Sequence, residues 1–144
     1  MIAVDTNILV YAHRIDAPLH QEAKACIDSL RASPKRWALP WPAAHEFIGT
    51  ITSTRRLPTA APMAIALKII ESLLAEPNCE FLSEGPGHFD WLQQLATTGR
   101  LQGPQIHDAR IAAICLSHGV SELWTADRDF SRFPQLRVRN PLVG

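Results

Sequence analysis

The chain has 144 residues, 47% hydrophobic and 19% charged, a length that suits one domain with a real core and a composition far from that of disordered chains. Fourteen basic residues balance fourteen acidic ones, so no net charge directs it to a polyanion or an anionic membrane, although arginine outnumbers lysine eleven to three and is the better bidentate phosphate ligand. Cys26, Cys79 and Cys115 are widely spaced, with no CxxC or Cys/His cluster; this lends no support to a zinc site or a disulfide framework and points to a reducing compartment.

Met1 to Val4 is a short apolar run of strand formers, and Asp5 with Thr6 can cap a short helix from Asn7 to His13. Asp5 also interrupts the run before it resembles a secretion leader, and no apolar stretch reaches membrane-spanning length, so a soluble cytoplasmic protein is expected. Pro18 to Leu30 reads as a second helix, Trp37 to Leu39 as a brief strand, and Pro42 suits the first turn of a helix running through Glu46 to Thr54. Pro62 opens a longer helix in which Met63, Ala66, Leu67, Ile70, Leu73 and Leu74 form a core-facing stripe, widened by Ile65 and Ile69 towards a possible second copy. Cys79 to Leu82 is a third strand, and Phe89 to Ala96 a helix ending near Gly99. Ile106 to His118 is a further helix with Gly119 after its end, Glu122 to Thr125 a fourth strand, and Leu136 to Val138 a weak fifth.

Short apolar strands alternating with helices predict an α/β fold, a mostly parallel sheet with helices on both faces and ligands at the strands' carboxyl ends. Asp5 and Asp127 each follow a strand, Glu46 sits one turn into the helix after the second strand, and Asp108 lies near the start of the helix before the fourth. Four carboxylates brought to one edge repel each other and lose hydration, which is a poor device for stability. Such a set makes sense as a cage for a hard divalent cation such as Mg²⁺, which takes oxygen ligands and commonly bridges to phosphate.

The segments Val4-Asp5-Thr6-Asn7-Ile8-Leu9, Ala44-His45-Glu46-Phe47, Asp108-Ala109-Arg110-Ile111-Ala112-Ala113 and Leu123-Trp124-Thr125-Ala126-Asp127-Arg128-Asp129-Phe130 together resemble the PIN domain, in its VapC type. The resemblance spans residues 1 to about 140, and it is the order of the four motifs that makes it specific. It implies a PIN-like three-layer sandwich with strand order 3-2-1-4-5, one domain over residues 1–144, and a site of Asp5, Glu46, Asp108 and Asp127 binding Mg²⁺ or Mn²⁺. It also implies a toxin ribonuclease that cuts single-stranded RNA to 5′-phosphate and 3′-hydroxyl ends and so inhibits translation, a homodimer, and a VapB-type antitoxin as partner.

Beside these acids, Thr6 and Thr125 can hold a carboxylate through their hydroxyls, with Thr6 also a companion cap. Asp129 shares a face with Asp127 in an extended chain and is expected instead to cap the turn from Phe130 to Phe133. Arg14, Arg55, Arg56, Arg110, Arg128 and Arg132 are candidate phosphate contacts, with Arg110 and Arg128 closest to the acids, though Arg110 can equally pair with a neighbouring acid. Trp41 is a candidate base-stacking residue or a core one. His45 and His107 adjoin proposed ligands but lie about 100° away from them on a helix, and are read as surface or packing residues. A receiver domain would need paired acids after the first strand and a late lysine, and a haloacid-dehalogenase phosphatase would need Asp-x-Asp where this chain has Asp5-Thr6-Asn7. A PIN fold or receiver-like domain kept as a binding module without catalysis is the remaining alternative.

Overall fold

The computed structural model describes residues 1–143, so Gly144, the last residue of the expected domain, lies outside the description. Five strands form one sheet: β1 (Ile2–Val4), β2 (Trp37–Pro40), β3 (Cys79–Leu82), β4 (Glu122–Trp124) and β5 (Val138–Arg139). Their order is β3-β2-β1-β4-β5 and every neighbouring pair is parallel, so the expected order holds and the sheet is wholly rather than mostly parallel. Six helices complete the fold: α1 (Thr6–His13), α2 (His20–Ala32), α3 (Trp41–Ile51), α4 (Met63–Leu74), α5 (His88–Thr98) and α6 (Ile106–Ser117).

Strand alternation divides the core into two layers. Val4, Trp37, Leu39 and Trp124 face α1 to α4, whereas Ala3, Ala38 and Leu123 face the layer holding α5 and α6. On that second side β1 and β2 bring Ala3 and Ala38 to the core, matched by Ala109, Ala112 and Ala113 on α6; small side chains on both surfaces let the helix approach closely. Because α6 precedes β4 in a parallel sheet, it runs back across the sheet and its first turn reaches the carboxyl edge. The helix ends where Gly119 takes φ +69°, a conformation costly for any residue with a Cβ.

Several boundaries move. The second helix begins at His20, since residues 15–18 form a turn, and the third stops at Ile51 rather than Thr54, where the Ile51 carbonyl accepts from Ala61 N–H as the chain folds back. The fourth strand ends at Trp124 and the fifth is Val138–Arg139, a residue or two later than its apolar run suggested. The larger correction concerns α4. Ala66, Ile70 and Leu73 are buried, but Met63, Leu67 and Leu74 are about half exposed (51%, 51% and 50%), because α4 packs mainly against α3 and β3 and turns the rest of its surface outward. A single line of its apolar stripe is used.

Candidate active site

The carboxyl ends of β1 and β4 lie side by side, with Asp5 N–H donating to the Trp124 carbonyl at 3.0 Å and Thr125 N–H to the Arg139 carbonyl at 2.9 Å. Asp5 leaves β1 extended and caps α1, its Oδ1 accepting from Thr6 N–H at 2.8 Å. Its Oδ2 accepts from the Thr125 hydroxyl at 2.8 Å and from Asn7 Nδ2 at 3.3 Å. The carboxylate is only 4% exposed, and every partner is a neutral donor; no arginine or lysine pairs with it.

Thr125 is the hub of this corner. Besides donating to Asp5, its Oγ1 accepts from Asn7 Nδ2 and from Asp127 N–H, each at 3.0 Å, while Asn7 Oδ1 accepts from Ala126 N–H at 3.0 Å. Asn7 thereby stitches the start of α1 to the end of β4. Thr6, expected to share the capping, instead turns its hydroxyl to Glu46 Oε2 and the Ala43 carbonyl, both at 3.2 Å, because Asp5 already satisfies the first turn.

Asp5, Glu46, Asp108 and Asp127 line one cavity of about 230 Å³, together with Thr6, Asn7, Tyr11, Thr50 and Arg56. Glu46 is exposed in spite of its apolar neighbours, since Ala43, Ala44 and Phe47 take the buried face of α3 and leave it on the flank. Burial, with the charges of Glu46 and Asp108 adding to it, pushes the Asp5 carboxyl up to about 6 against the hydrogen bonds of Thr125 and Thr6. Asp108 is likewise raised to about 6, first by burial and then by the charges of Asp127, Asp129 and Glu46, with Arg132 opposing.

Asp127 takes the cap expected of Asp129 and also keeps its place in the pocket. Asp127 Oδ1 caps the 3-10 turn Arg128–Arg132 by accepting Asp129 N–H at 2.9 Å, so Asp129 does not cap it. The Asp129 carboxylate instead reaches back: Asp108, Asp127 and Asp129 each bring an oxygen within 4.8 Å of the others. A set of close, partly buried carboxylate oxygens suits a hard divalent cation far better than a soft one.

The expected RNA contacts separate. Arg110 is tied to Glu84 and borders a neighbouring depression, lined also by His45, His107 and the site acids Glu46 and Asp108. Trp41 packs against Phe81 at 4.7 Å and His45 at 5.7 Å between ring centroids, which is the packing alternative rather than an open platform. Arg128 is exposed beside Asp127 and makes no ion pair among the described residues. Arg56, one of the candidate phosphate contacts, lines the acidic pocket, and Asn7 braces its corner through Asp5, Thr125 and Ala126. Nothing in the sequence of the loop between α3 and α4 set Arg56 above the other arginines, because its place in the pocket comes from folding alone.

The family model described as "PIN domain" matches residues 2–136. The chain belongs to the PIN-domain family. VapC ribonuclease Mb2897 of Mycobacterium bovis is 35% identical over 144 residues, covering 100% of this chain and 97% of that protein. Ribonuclease VapC48 of Mycobacterium tuberculosis is 30% identical over 142 residues, covering 97% of each. Among solved structures, VapC20 of M. tuberculosis, a sarcin-ricin loop cleaving toxin, superposes with a TM-score of 0.71 at 17% identity, covering 97% of this chain and 100% of that one. VapBC2 from Rickettsia felis, bound to a DNA fragment from its promoter, gives 0.70 at 19% identity over 97% and 98%. At such identities the structures speak for the PIN fold alone. As a PIN domain of the VapC type, the chain has its acids where strand ends and helix starts of that fold meet.

Proposed function

We propose that this PIN domain, residues 1–144, is a Mg²⁺- or Mn²⁺-dependent endoribonuclease, the toxin of a VapBC-type pair, acting in the cytoplasm to inhibit translation. The observation that carries the reading is the single pocket lined by Asp5, Glu46, Asp108 and Asp127, whose most buried acid has no cationic partner. VapC ribonucleases as relatives along the whole chain support it. Asp5, Asp108 and Asp127 would hold the cation, with Asp129 near enough to share it. Bound there, a divalent ion supplies Lewis acidity at a phosphoryl oxygen and favours ionised over protonated carboxylates.

The chain's own groups account for the rest. Thr125 and Asn7 hold Asp5 in one orientation, and Thr125 also fixes the backbone from which Asp127 projects. Glu46 is braced through Oε2 by Thr6, which leaves Oε1 to accept a proton from an attacking water. With water as the nucleophile the ribose 2′-hydroxyl is not needed for attack, and cleavage of the bond from phosphorus to the 3′-oxygen, which leaves and takes up a proton, gives 5′-phosphate and 3′-hydroxyl ends.

The exposed apolar side chains of α4, Met63, Ile65, Leu67 and Leu74, are a suitable surface for homodimerisation. A VapB-type antitoxin is the expected partner, since solved neighbours include VapBC complexes. No helix is long and apolar enough to cross a membrane among the described residues. The deciding experiment is cleavage of RNA by the purified chain in Mg²⁺ or Mn²⁺, in EDTA, and by Asp108→Asn. Metal-dependent cleavage lost in a folded Asp108→Asn supports the reading. Cleavage that survives EDTA, or a fully active Asp108→Asn, overturns it.

A further inference from the structure

A second concavity adjoins the acidic pocket, sharing Asp127 with it and walled in part by Thr125. It is a trough of about 580 Å³ between the 3-10 turn Arg128–Arg132 and the carboxyl end of β5, within the size range of small-ligand sites. Asp127 lines both the trough and the acidic pocket, so the two adjoin at that residue. Its apolar lining includes Leu136 and Val138, over a floor that contains the nearly inaccessible Phe130 and Phe133 (1% exposed each). Its polar lining includes Arg128 and Asn140. Asn140 Oδ1 accepts from Leu142 N–H at 3.0 Å, which fixes the carboxamide and leaves its Nδ2 hydrogens with no protein acceptor among the described residues.

We propose that this trough is a nucleobase subsite for the nucleotide next to the scissile bond, with Asn140 reading the base edge and Arg128 contacting the adjacent phosphate. The inference rests on the ribonuclease reading and adds a determinant of sequence preference to it. Three observations select an RNA base as the occupant: an apolar bed for a flat ring, a fixed amide donor at its side, and an unpaired guanidinium at the junction with the acids. A free NH₂ group favours edges that present carbonyl oxygens, so uracil and guanine are preferred to adenine at this position.

The test has two independent arms. In the first, a randomised oligoribonucleotide pool is cut by wild type, Asn140→Asp and Arg128→Ala, and the ends are sequenced. Asn140→Asp keeps the acceptor for Leu142 N–H but exchanges donor for acceptor, so the preference at one position next to the cut shifts about tenfold from uracil towards adenine and cytosine. Arg128→Ala raises KM evenly across sequences and leaves the preference in place. A cleaving Asn140→Asp with an unaltered profile overturns the inference while leaving the ribonuclease reading intact. In the second arm, hexauridylate and hexaadenylate are titrated into methyl-labelled wild-type protein in Ca²⁺. The Leu136 and Val138 methyls are expected to shift, more strongly with hexauridylate. Shifts confined to other regions, or no shift with either, overturn the subsite whether or not the protein cleaves RNA. Failure of wild type to cut RNA in Mg²⁺ or Mn²⁺ counts against the ribonuclease reading by itself.

Discussion

Asp5→Asn in the metal-free protein tests the electrostatics of the site most directly. The Asp5 carboxyl is raised from 3.8 to about 6, so between those values the folded state holds a proton that the unfolded chain has released. Stability therefore falls as pH rises through this window, and above it the ionised Asp5 costs roughly 3 kcal/mol, about two units at 1.36 kcal/mol each. Asparagine removes that cost but puts an NH₂ group opposite donors, Asn7 Nδ2 and the Thr125 hydroxyl or else Thr6 N–H, a mismatch of about 1–2 kcal/mol. The mismatch does not depend on pH, whereas the charge cost does. Thermal and urea unfolding of both proteins in EDTA at pH 4 and pH 7.5 separate the two. The variant's stability relative to wild type improves by about 2–3 kcal/mol between these pH values, about 6–9 °C in Tm. Saturating Mg²⁺ at pH 7.5 then raises wild type by RT ln(1 + [Mg²⁺]/Kd) and leaves the variant behind. A stability difference that is flat with pH, or that moves against the variant as pH rises, refutes the reasoning.

Three further outcomes follow from the same contacts. Thr125→Val removes the donor to Asp5 and the acceptor for Asn7 and Asp127 N–H, so unfolding in urea loses about 1–3 kcal/mol and the activity profile moves to higher pH as Asp5 becomes harder to ionise. Arg110→Ala breaks a solvent-exposed pair with Glu84 and costs at most ~1 kcal/mol; in filter binding it weakens RNA affinity less than Arg128→Ala. Phe130→Ala hollows out the anchor beneath the turn carrying Asp127 and Asp129; denaturation loses about 3–5 kcal/mol, and metal affinity measured by calorimetry falls with it.

Strand alternation, helix starts at Pro42 and Pro62, the glycine stop at 119 and the acids following two strands were all legible in the chain, because each is a local rule about neighbours a few residues apart. Those rules were enough for the parallel α/β sheet, while its 3-2-1-4-5 order was implied by the resemblance to the PIN domain that the four motifs carry. Long-range contacts decided the rest. Whether Asp127 or Asp129 caps the turn depends on how the chain leaves β4 against Thr125. Whether Arg110 is free depends on Glu84, 26 residues earlier in the chain and adjacent only after folding. Which residues of the α4 stripe are buried depends on how many elements pack against that helix, a quantity that periodicity does not contain. Asp5 draws on both levels: its place after a strand is written in the sequence, while its raised carboxyl, its three neutral donors and its neighbouring acids exist only once β1, β4, α3 and α6 meet.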